Sequence, residues 1–98
     1  MQFIVIAYDG EDENALQRRL AVREKHLQGA AELHKKGHLL CASAILNDAG
    51  TMIGSMMLVD FPSRKHLEKD WLAHEPYILG QVWKKVSIHR ARKAELPN

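Results

Sequence analysis

Alternating and clustered apolar positions in the first third of the chain predict a strand followed by a long helix. The run from Gln2 to Tyr8 is short, apolar and rich in β-branched residues, which favours a strand. Asp12 or Asn14 can then cap a helix that continues to about Lys36. Gly37 comes directly after two lysines, so it predicts the C-terminal stop of this helix.

The middle of the chain predicts a β-hairpin. Residues His38 to Leu46 and Thr51 to Phe61 both have strand composition, and the turn-forming residues Asn47–Gly50 separate them. Ser63, which follows a proline, is well placed to cap a second helix. The hairpin is therefore expected to lead directly into that helix.

The last third predicts a helix, a short helical turn and a final strand. Leu67 and Trp71 are four residues apart, so they should lie on the buried stripe of the second helix. A short helical turn follows over residues 74–80. Alternation over Val82–Ala91 then predicts a fourth strand, after which the chain continues as a tail.

This β-α-β-β-α-β order predicts a ferredoxin-like α+β fold with a four-stranded antiparallel sheet. One domain is expected over residues 1–93, with a tail at residues 94–98. Such a sheet carries both helices on one face. Its other face must then be covered by solvent or by another surface.

Both faces of the first strand are apolar, which predicts a homodimer. A half-solvated antiparallel sheet should alternate apolar with polar residues, and this strand does not. An apolar patch of several hundred Å² is rare on monomers, and packing two sheets face to face around a two-fold axis covers it. The two apolar sets of the strand are Phe3, Val5 and Ala7 on one face, and Ile4, Ile6 and Tyr8 on the other.

Composition narrows the class of protein further. The net charge is only +2, with 14 basic and 12 acidic residues, so the charge balance gives no support for nucleic-acid binding. Cys41 is the single cysteine, and its apolar neighbours predict a buried thiol. The N-terminal apolar run is too short to span a membrane or to form a signal peptide. A cytoplasmic protein that does not contact membranes is expected.

The first helix contains the best candidate site. Its expected apolar stripe also includes Arg23, and His26 lies on the flank of the stripe. Periodicity alone favours a structural role, in which Arg23 extends to solvent and His26 sits at the rim. The functional alternative is that both side chains reach a pocket between helix and sheet. The residues assigned to the stripe are Leu16, Leu20, Leu27, Ala30, Ala31 and His34.

Three short motifs together resemble the YCII-related family. They are Val22–Leu27, Gly37–Leu40 and Glu75–Tyr77, and their spacing matches the family over nearly the whole chain. The resemblance implies a dimeric α+β barrel and a His-Asp pair as the proposed active site. A related chlorohydroxyhydroquinone dehydrochlorinase uses a site of this type. His26 corresponds to the family histidine and Arg23 to its arginine.

The chain departs from the family pattern at Glu75, where an aspartate usually precedes the Pro-aromatic pair. Aspartate before a proline is a good helix cap, and glutamate is expected to be a poor one. If this position served only to cap the helix, glutamate would be a weaker residue there than aspartate. Holding His26 would remain possible, because glutamate has one more methylene of reach.

A histidine paired with a carboxylate suits general acid/base chemistry, because imidazole exchanges protons near neutral pH. The pair His26 and Glu75 is therefore the candidate catalytic pair for isomerisation, or for elimination of HX, on a small aromatic substrate or a small substrate derived from an aromatic compound. Arg23 can steady an anionic group of the substrate. Ser43, Ser55 and Tyr77 are candidates for further polar contacts, with structural roles equally open.

Two rival functions remain. One is a non-catalytic dimeric module that binds a small molecule or a partner in the same cleft. The other is an isomerase similar to muconolactone isomerase, which Phe61-Pro62-Ser63 faintly resembles but the Arg23 and His26 motif does not. No glycine-rich phosphate loop and no zinc-binding pattern occurs, so neither a cofactor nor a metal is expected.

Overall fold

The computed structural model describes residues 1–97. Its element order confirms the predicted ferredoxin-like α+β fold, although the second helix is broken into short pieces. The strands and α-helices are β1 (Gln2–Asp9), α1 (Ala15–Lys35), β2 (Leu39–Leu46), β3 (Met52–Asp60), α2 (Arg64–His66), α3 (Pro76–Leu79) and β4 (Trp83–Ala91). Asn98, the last residue of the predicted tail, lies outside the described residues.

The four strands form one antiparallel sheet in the order β2-β3-β1-β4. Strand β1 is central, and its Val5 pairs with Met57 on one side and Ile88 on the other. Strand β4 forms one edge of the sheet, and β2 forms the opposite edge. A bulge interrupts β2 between Leu39 and Cys41.

Helix α1 begins directly after Asn14, one of the two predicted caps, although the Asn14 side chain makes no capping hydrogen bond, and it ends just before the predicted stop at Gly37. The Asp12 carboxylate accepts a hydrogen bond from the Asn14 N–H at 3.2 Å, while Arg18 donates two bonds to the same carboxylate at 2.7 Å. Gly37 follows the last turn with φ of +80°, a conformation that glycine adopts without strain. These contacts stabilise the two ends of α1.

The second helical segment is less regular than predicted. Ser63 caps it as expected, because its hydroxyl accepts a hydrogen bond from the His66 N–H at 3.2 Å. After α2 the chain continues as a π-helical turn over Leu67–Trp71 and a 3₁₀ turn over Leu72–His74. Leu67 and Trp71 are buried, so the predicted inward residues are confirmed even though a single regular helix is not formed.

The core lies between the helices and one face of the sheet. Phe3, Val5 and Ala7 of β1 are at most 1% exposed, and they pack with Met57 and Val59 of β3. The helical segments contribute Leu67, Trp71 and Tyr77 to the same cluster. This is the covered face of the sheet.

The predicted buried stripe of α1 is wrong. Leu20 is 54% exposed and Leu27 is 46% exposed, and Arg23 and His34 are also exposed. The residues of α1 that are buried are Ala15, Arg19 and His26. Apolar periodicity misplaces the stripe because two of the three buried side chains are ionisable and owe their burial to specific partners.

The opposite face of the sheet carries apolar side chains that neither helix covers. Its residues Ile4, Ile6, Met56 and Leu58 are half-buried, and they are hereafter called the open face. The prediction that Cys41 is buried is wrong, because its strand β2 is an edge strand and its partner in the register is Leu58 of the open face. Within residues 1–97 no helix has the length and apolarity needed to cross a membrane.

Candidate active site

His26 and Glu75 meet between α1 and α3. The Nδ1 atom of His26 lies 2.5 Å from Oε1 of Glu75, and both side chains are at least nine-tenths buried. They are 49 residues apart in sequence, so only the packing of α1 against α3 brings them together. The contact that the family resemblance implies is therefore present, with glutamate in place of aspartate.

Glu75 serves as both a helix cap and a histidine partner. Its Oε1 atom also accepts the Tyr77 backbone N–H at 3.2 Å, which caps α3. Its Oε2 atom accepts the indole N–H of Trp71 at 3.2 Å. The expectation that glutamate would cap poorly is wrong here, because Trp71 and His26 hold the longer side chain in the capping position.

Tyr77 forms one wall of the site. Its ring stacks on the His26 ring with centroids 3.9 Å apart and an interplanar angle of 12°. Trp83 meets both rings edge-on, at 5.9 Å from His26 and 5.5 Å from Tyr77. Burial raises the pKa of the Tyr77 hydroxyl above its usual range, so the hydroxyl stays protonated at neutral pH. The aromatic stack fixes the plane of the imidazole.

A buried ion pair that the sequence analysis missed lies beside this stack. Nη1 of Arg19 donates to both carboxylate oxygens of Asp9 at 3.0 Å, and both side chains are 3% exposed. Nη2 of Arg19 donates to Ser55 Oγ at 2.9 Å, and the guanidinium carbon lies 4.7 Å from the centre of the Tyr77 ring. A usable signal was present, because Arg19 precedes His26 by two helical turns and so shares its face.

A cleft of about 200 Å³ opens beside His26, between α1 and strands β2 and β3. The predicted substrate-binding residues Arg23, Ser43 and Tyr77 all line it. Arg23 and Ser43 are exposed, whereas Tyr77 is 1% exposed. Arg23 makes no ion pair or side-chain hydrogen bond with the rest of the described chain. The cleft thus has the guanidinium of Arg23 at its mouth, without an ion-pair partner among the described residues, and the aromatic ring of Tyr77 in its inner wall.

The second ring nitrogen of His26, Nε2, is available to a ligand. Within residues 1–97 this nitrogen makes no hydrogen bond. It is also accessible to solvent, because the only fully buried side-chain polar atom without a partner among these residues is Nε of Arg19. Because the Glu75 carboxylate accepts, Nδ1 must donate, and a neutral ring then leaves the Nε2 lone pair free. This arrangement can accept a proton.

A larger groove of about 450 Å³ lies elsewhere, at the turn between β1 and α1. Glu11, Asp12 and Glu13 line it, together with Lys85, and it contains no histidine. Although this groove is larger, we place the candidate site in the smaller cleft, which is lined by the imidazole of His26 and the guanidinium of Arg23.

Three of the five other histidines make local structural contacts, whereas His74 and His89 are exposed. His34 Nδ1 donates to the Leu39 carbonyl at 3.0 Å, and His38 stacks on Phe61 with centroids 4.6 Å apart. His66 hydrogen-bonds Ser63 within its own helical turn. Among residues 1–97, no three acidic, histidine or cysteine side chains gather closely enough to hold a metal ion.

Comparison with known proteins identifies relatives of the same length. Residues 1–92 match the YCII-related domain. Protein YciI of Escherichia coli is 31% identical over 99 aligned positions, which cover 95% of this chain and 98% of that protein. A relative from Haemophilus influenzae is 30% identical with the same coverage.

Two solved structures have a similar fold. The 5-chloro-2-hydroxyhydroquinone dehydrochlorinase of Burkholderia phenoliruptrix, solved with 2,5-dihydroxybenzoquinone, superposes with a TM-score of 0.80 at 18% identity and 96% coverage of both chains. A NIPSNAP domain protein from Burkholderia xenovorans has a TM-score of 0.52 at 12% identity, with both chains fully covered. At these identities the likeness is one of fold.

Proposed function

Because the chain belongs to the YCII-related domain family, we propose that it is a small cofactor-free enzyme that transfers protons on a small molecule. His26 acts as the general acid/base, and Glu75 orients it. The observation that carries this proposal is the 2.5 Å contact between His26 Nδ1 and Glu75 Oε1, beside a cleft from which Nε2 can be reached. A carboxylate on one imidazole nitrogen fixes the tautomer and stabilises the imidazolium that forms when the other nitrogen takes a proton.

The size and walls of the cleft favour a substrate with a single ring. An apolar cavity of about 150 Å³ is large enough for benzene, and this cleft measures about 200 Å³. Tyr77 provides an aromatic wall, and the structurally similar dehydrochlorinase carries a dihydroxybenzoquinone. We therefore take a hydroxylated ring or a quinone derived from one as the substrate class.

Two reactions fit a single base with this substrate class. In elimination, Nε2 of His26 takes a proton from the substrate and the electron pair of that C–H or O–H bond moves into the ring system to form a π bond. The C–X bond breaks at the same time, and its electron pair leaves with X⁻, so that HX is lost overall as X⁻ and the proton held on His26. In isomerisation, the same proton returns to another atom of the substrate. Arg23 balances the negative charge that the ring oxygens carry in either reaction.

The tautomer of His26 is the first test of this proposal. Long-range ¹H–¹⁵N spectra of the neutral ring should show the proton on Nδ1 and a lone pair on Nε2. His89, which is exposed on β4, provides a control ring without a carboxylate partner in the described chain. A neutral His26 protonated on Nε2 would contradict the assigned base.

Proton transfer itself can be measured with 2,5-dihydroxybenzoquinone in D₂O. Exchange of its ring hydrogen requires a deuteron to reach the ring carbon and the original proton to leave, and ¹H NMR follows the loss of signal. We expect the protein to accelerate exchange and His26→Gln to lower that rate by about 100-fold or more, as is typical of a lost general base. His89→Gln should leave the rate unchanged. If the quinone binds and exchange is not accelerated, the chain is instead a binding module.

We also propose that the chain acts as a homodimer through the open face. Ile4, Ile6, Met56 and Leu58 form an apolar surface on the sheet, opposite the helices, and Tyr8 beside them is 43% exposed. A second copy related by a two-fold axis would remove these side chains from water. The helices and the cleft stay outside such an interface.

Sedimentation of two charge variants tests where copies of the chain meet. Ile6→Lys places a cation at the centre of the open face, and we expect it to produce monomers at concentrations at which the unaltered chain is dimeric. Leu20→Lys is the matched control, because Leu20 is 54% exposed on α1 and should leave the dimer intact. A stable monomer of the unaltered chain at micromolar concentration would refute the dimer.

A further inference from the structure

Ser55 is a buried hydroxyl in the wall of the cleft. It lies on β3, where it pairs with Ala7 of β1 and Ala44 of β2, and it is only 3% exposed. The same residue lines the cleft that contains His26 and Tyr77. Its hydroxyl is therefore out of bulk water and beside the space that a ligand would occupy.

Both lone pairs of Ser55 Oγ are already used. Nη2 of Arg19 donates to the oxygen at 2.9 Å, and the indole N–H of Trp83 donates to it at 3.2 Å. A serine hydroxyl has two acceptor positions and one proton to donate. No group within residues 1–97 accepts that proton. The hydroxyl is thus obliged to be a donor, and the described residues provide no acceptor for its proton.

Asp9 fixes this arrangement. Arg19 is held by two bonds from Nη1 to the Asp9 carboxylate, so its Nη2 atom cannot turn away from Ser55. A hydrogen bond from a cation also draws electron density from the hydroxyl oxygen, which makes the hydroxyl a stronger donor. The ion pair therefore positions and strengthens a donor that the protein itself does not use.

We propose that Ser55 is a substrate-binding residue, and that its hydroxyl donates a hydrogen bond to a carbonyl or phenolate oxygen of the ligand in the cleft. This inference rests on the proposed function only in placing a small oxygenated ring in that cleft. Arg19 and Asp9 act through Ser55 and are positioning residues.

Tyr77 supplies a second donor to the same space. Its hydroxyl makes no hydrogen bond within the described part of the chain, and the residue lines the cleft. Two neutral donors in a largely buried site favour an oxygen on which negative charge accumulates, as it does when a base removes a proton from the substrate. The chemical class is therefore an enolate or phenolate oxygen.

The proposal is tested with two probes of nearly equal size. One is 4-nitrophenol at a pH above its own pKa, where it is a phenolate, and the other is 4-nitroanisole, its uncharged methyl ether. We expect the protein to prefer the phenolate. Ser55→Ala should weaken phenolate binding by about 10- to 100-fold, the usual effect of removing a hydrogen bond to a charged group. Ether binding should change by about twofold or less.

Two further variants test whether the effect comes from the Ser55 hydroxyl itself. Ser87→Ala removes an exposed hydroxyl from β4, outside the cleft, and should leave both affinities unchanged. Ser55→Cys keeps a side chain of similar size with a much weaker donor, and it should reproduce the effect of alanine. Because each result is a ratio of two dissociation constants in one variant, a partly unfolded sample does not alter it.

The outcomes separate this proposal from the proposed enzyme activity. If Ser55→Ala weakens phenolate and ether equally, or if the unaltered chain does not prefer the phenolate, Ser55 is not the oxygen anchor. His26→Gln should retain the phenolate preference while losing exchange activity. A phenolate preference that depends on Ser55 in a protein without exchange activity would sustain the anchor and refute the enzyme. Exchange activity without that preference would do the reverse.

Discussion

The two faces of the sheet are built from alternate residues of the same strands, yet they differ in almost every physical respect. On the covered face, Val5 and Met57 are 1% exposed, and five polar or charged side chains are buried around them. On the open face, their chain neighbours Ile6 and Met56 are half-buried. The five buried polar residues are Asp9, Arg19, His26, Ser55 and Glu75.

The difference shows where chemistry can be built in a small domain. Burying a polar group costs free energy unless it finds partners, and the helices over the covered face supply those partners. The open face receives no such cover from the chain and remains apolar. A second copy would give it one, which is why the proposed dimer interface and the candidate site lie on opposite faces of the sheet.

The largest effect is expected when the buried ion pair is broken. Asp9→Asn leaves Arg19 as a buried cation without its full counter-charge, which should lower the free energy of unfolding by about 3–5 kcal/mol. Urea unfolding at fixed protein concentration measures this. The double variant Asp9→Leu with Arg19→Met removes both charges and should recover most of the loss. A loss below about 1 kcal/mol in the single variant would mean that water solvates the Arg19 cation that remains.

Met56 and Met57 are adjacent on β3 and lie on opposite faces of the sheet, so substituting each in turn compares the two faces directly. Met57→Ala empties space in the core and should lower the free energy of unfolding by about 2–5 kcal/mol. Met56→Ala, on the open face, should cost less in a monomeric variant such as Ile6→Lys. In the dimer its cost should grow, because the partner would then bury the side chain. Equal costs at both positions in the monomer would contradict the asymmetry between the faces.

The carboxylate of Glu75 is expected to matter less for stability than the ion pair. Glu75→Gln presents one acceptor oxygen and one NH₂ group to three donors, from His26, Trp71 and the Tyr77 backbone. At least one donor therefore loses its acceptor, at about 1–3 kcal/mol in urea unfolding. Glu75→Asp keeps the carboxylate and is the matched control. A glutamine variant as stable as the aspartate variant would show that the charge is dispensable.

The smallest effect is expected at the exposed start of α1. The hydrogen bond from Arg18 holds the pKa of the Asp12 carboxyl well below its usual range. Because the pKa is lower in the folded state, the ionised carboxylate stabilises the fold at pH values above its unfolded pKa of about 3.9. This stabilisation is lost as the pH falls from there through the folded-state pKa. Asp12→Asn should thus be slightly less stable at neutral pH, and the difference should shrink in acid. A stability difference that stayed constant from neutral pH down to pH values below the unfolded pKa would contradict this assignment.

Local signals were sufficient for most of the fold. Gly37 ends α1 and Ser63 caps α2, since capping depends on residues close in sequence. The two apolar faces of β1 could also be recognised, because side chains alternate along a strand. The break in the second helix was not predicted, as apolar spacing does not distinguish a π turn from a regular one.

The candidate site was predicted only in part. Helical periodicity singled out Arg23 and His26, and the family resemblance added Glu75. The structure brings all three to one region, though Arg23 lies at the surface. Arg19 was missed because the predicted apolar stripe was centred on Leu20, Arg23 and Leu27, whereas the buried face of α1 contains Arg19 and His26. Its burial depends on Asp9 and Ser55, which are 10 and 36 residues away in sequence.

By itself, the sequence determined the order of the elements, the ends of α1, the start of α2 and the apolar character of both faces of β1. These follow from backbone preferences and from contacts between near neighbours. Only the tertiary structure decided which face of α1 is buried, which serine proton lacks an acceptor and where Glu75 finds its three donors. Those outcomes depend on pairing between distant residues, and burial of a charge is favourable only when the fold delivers its partner.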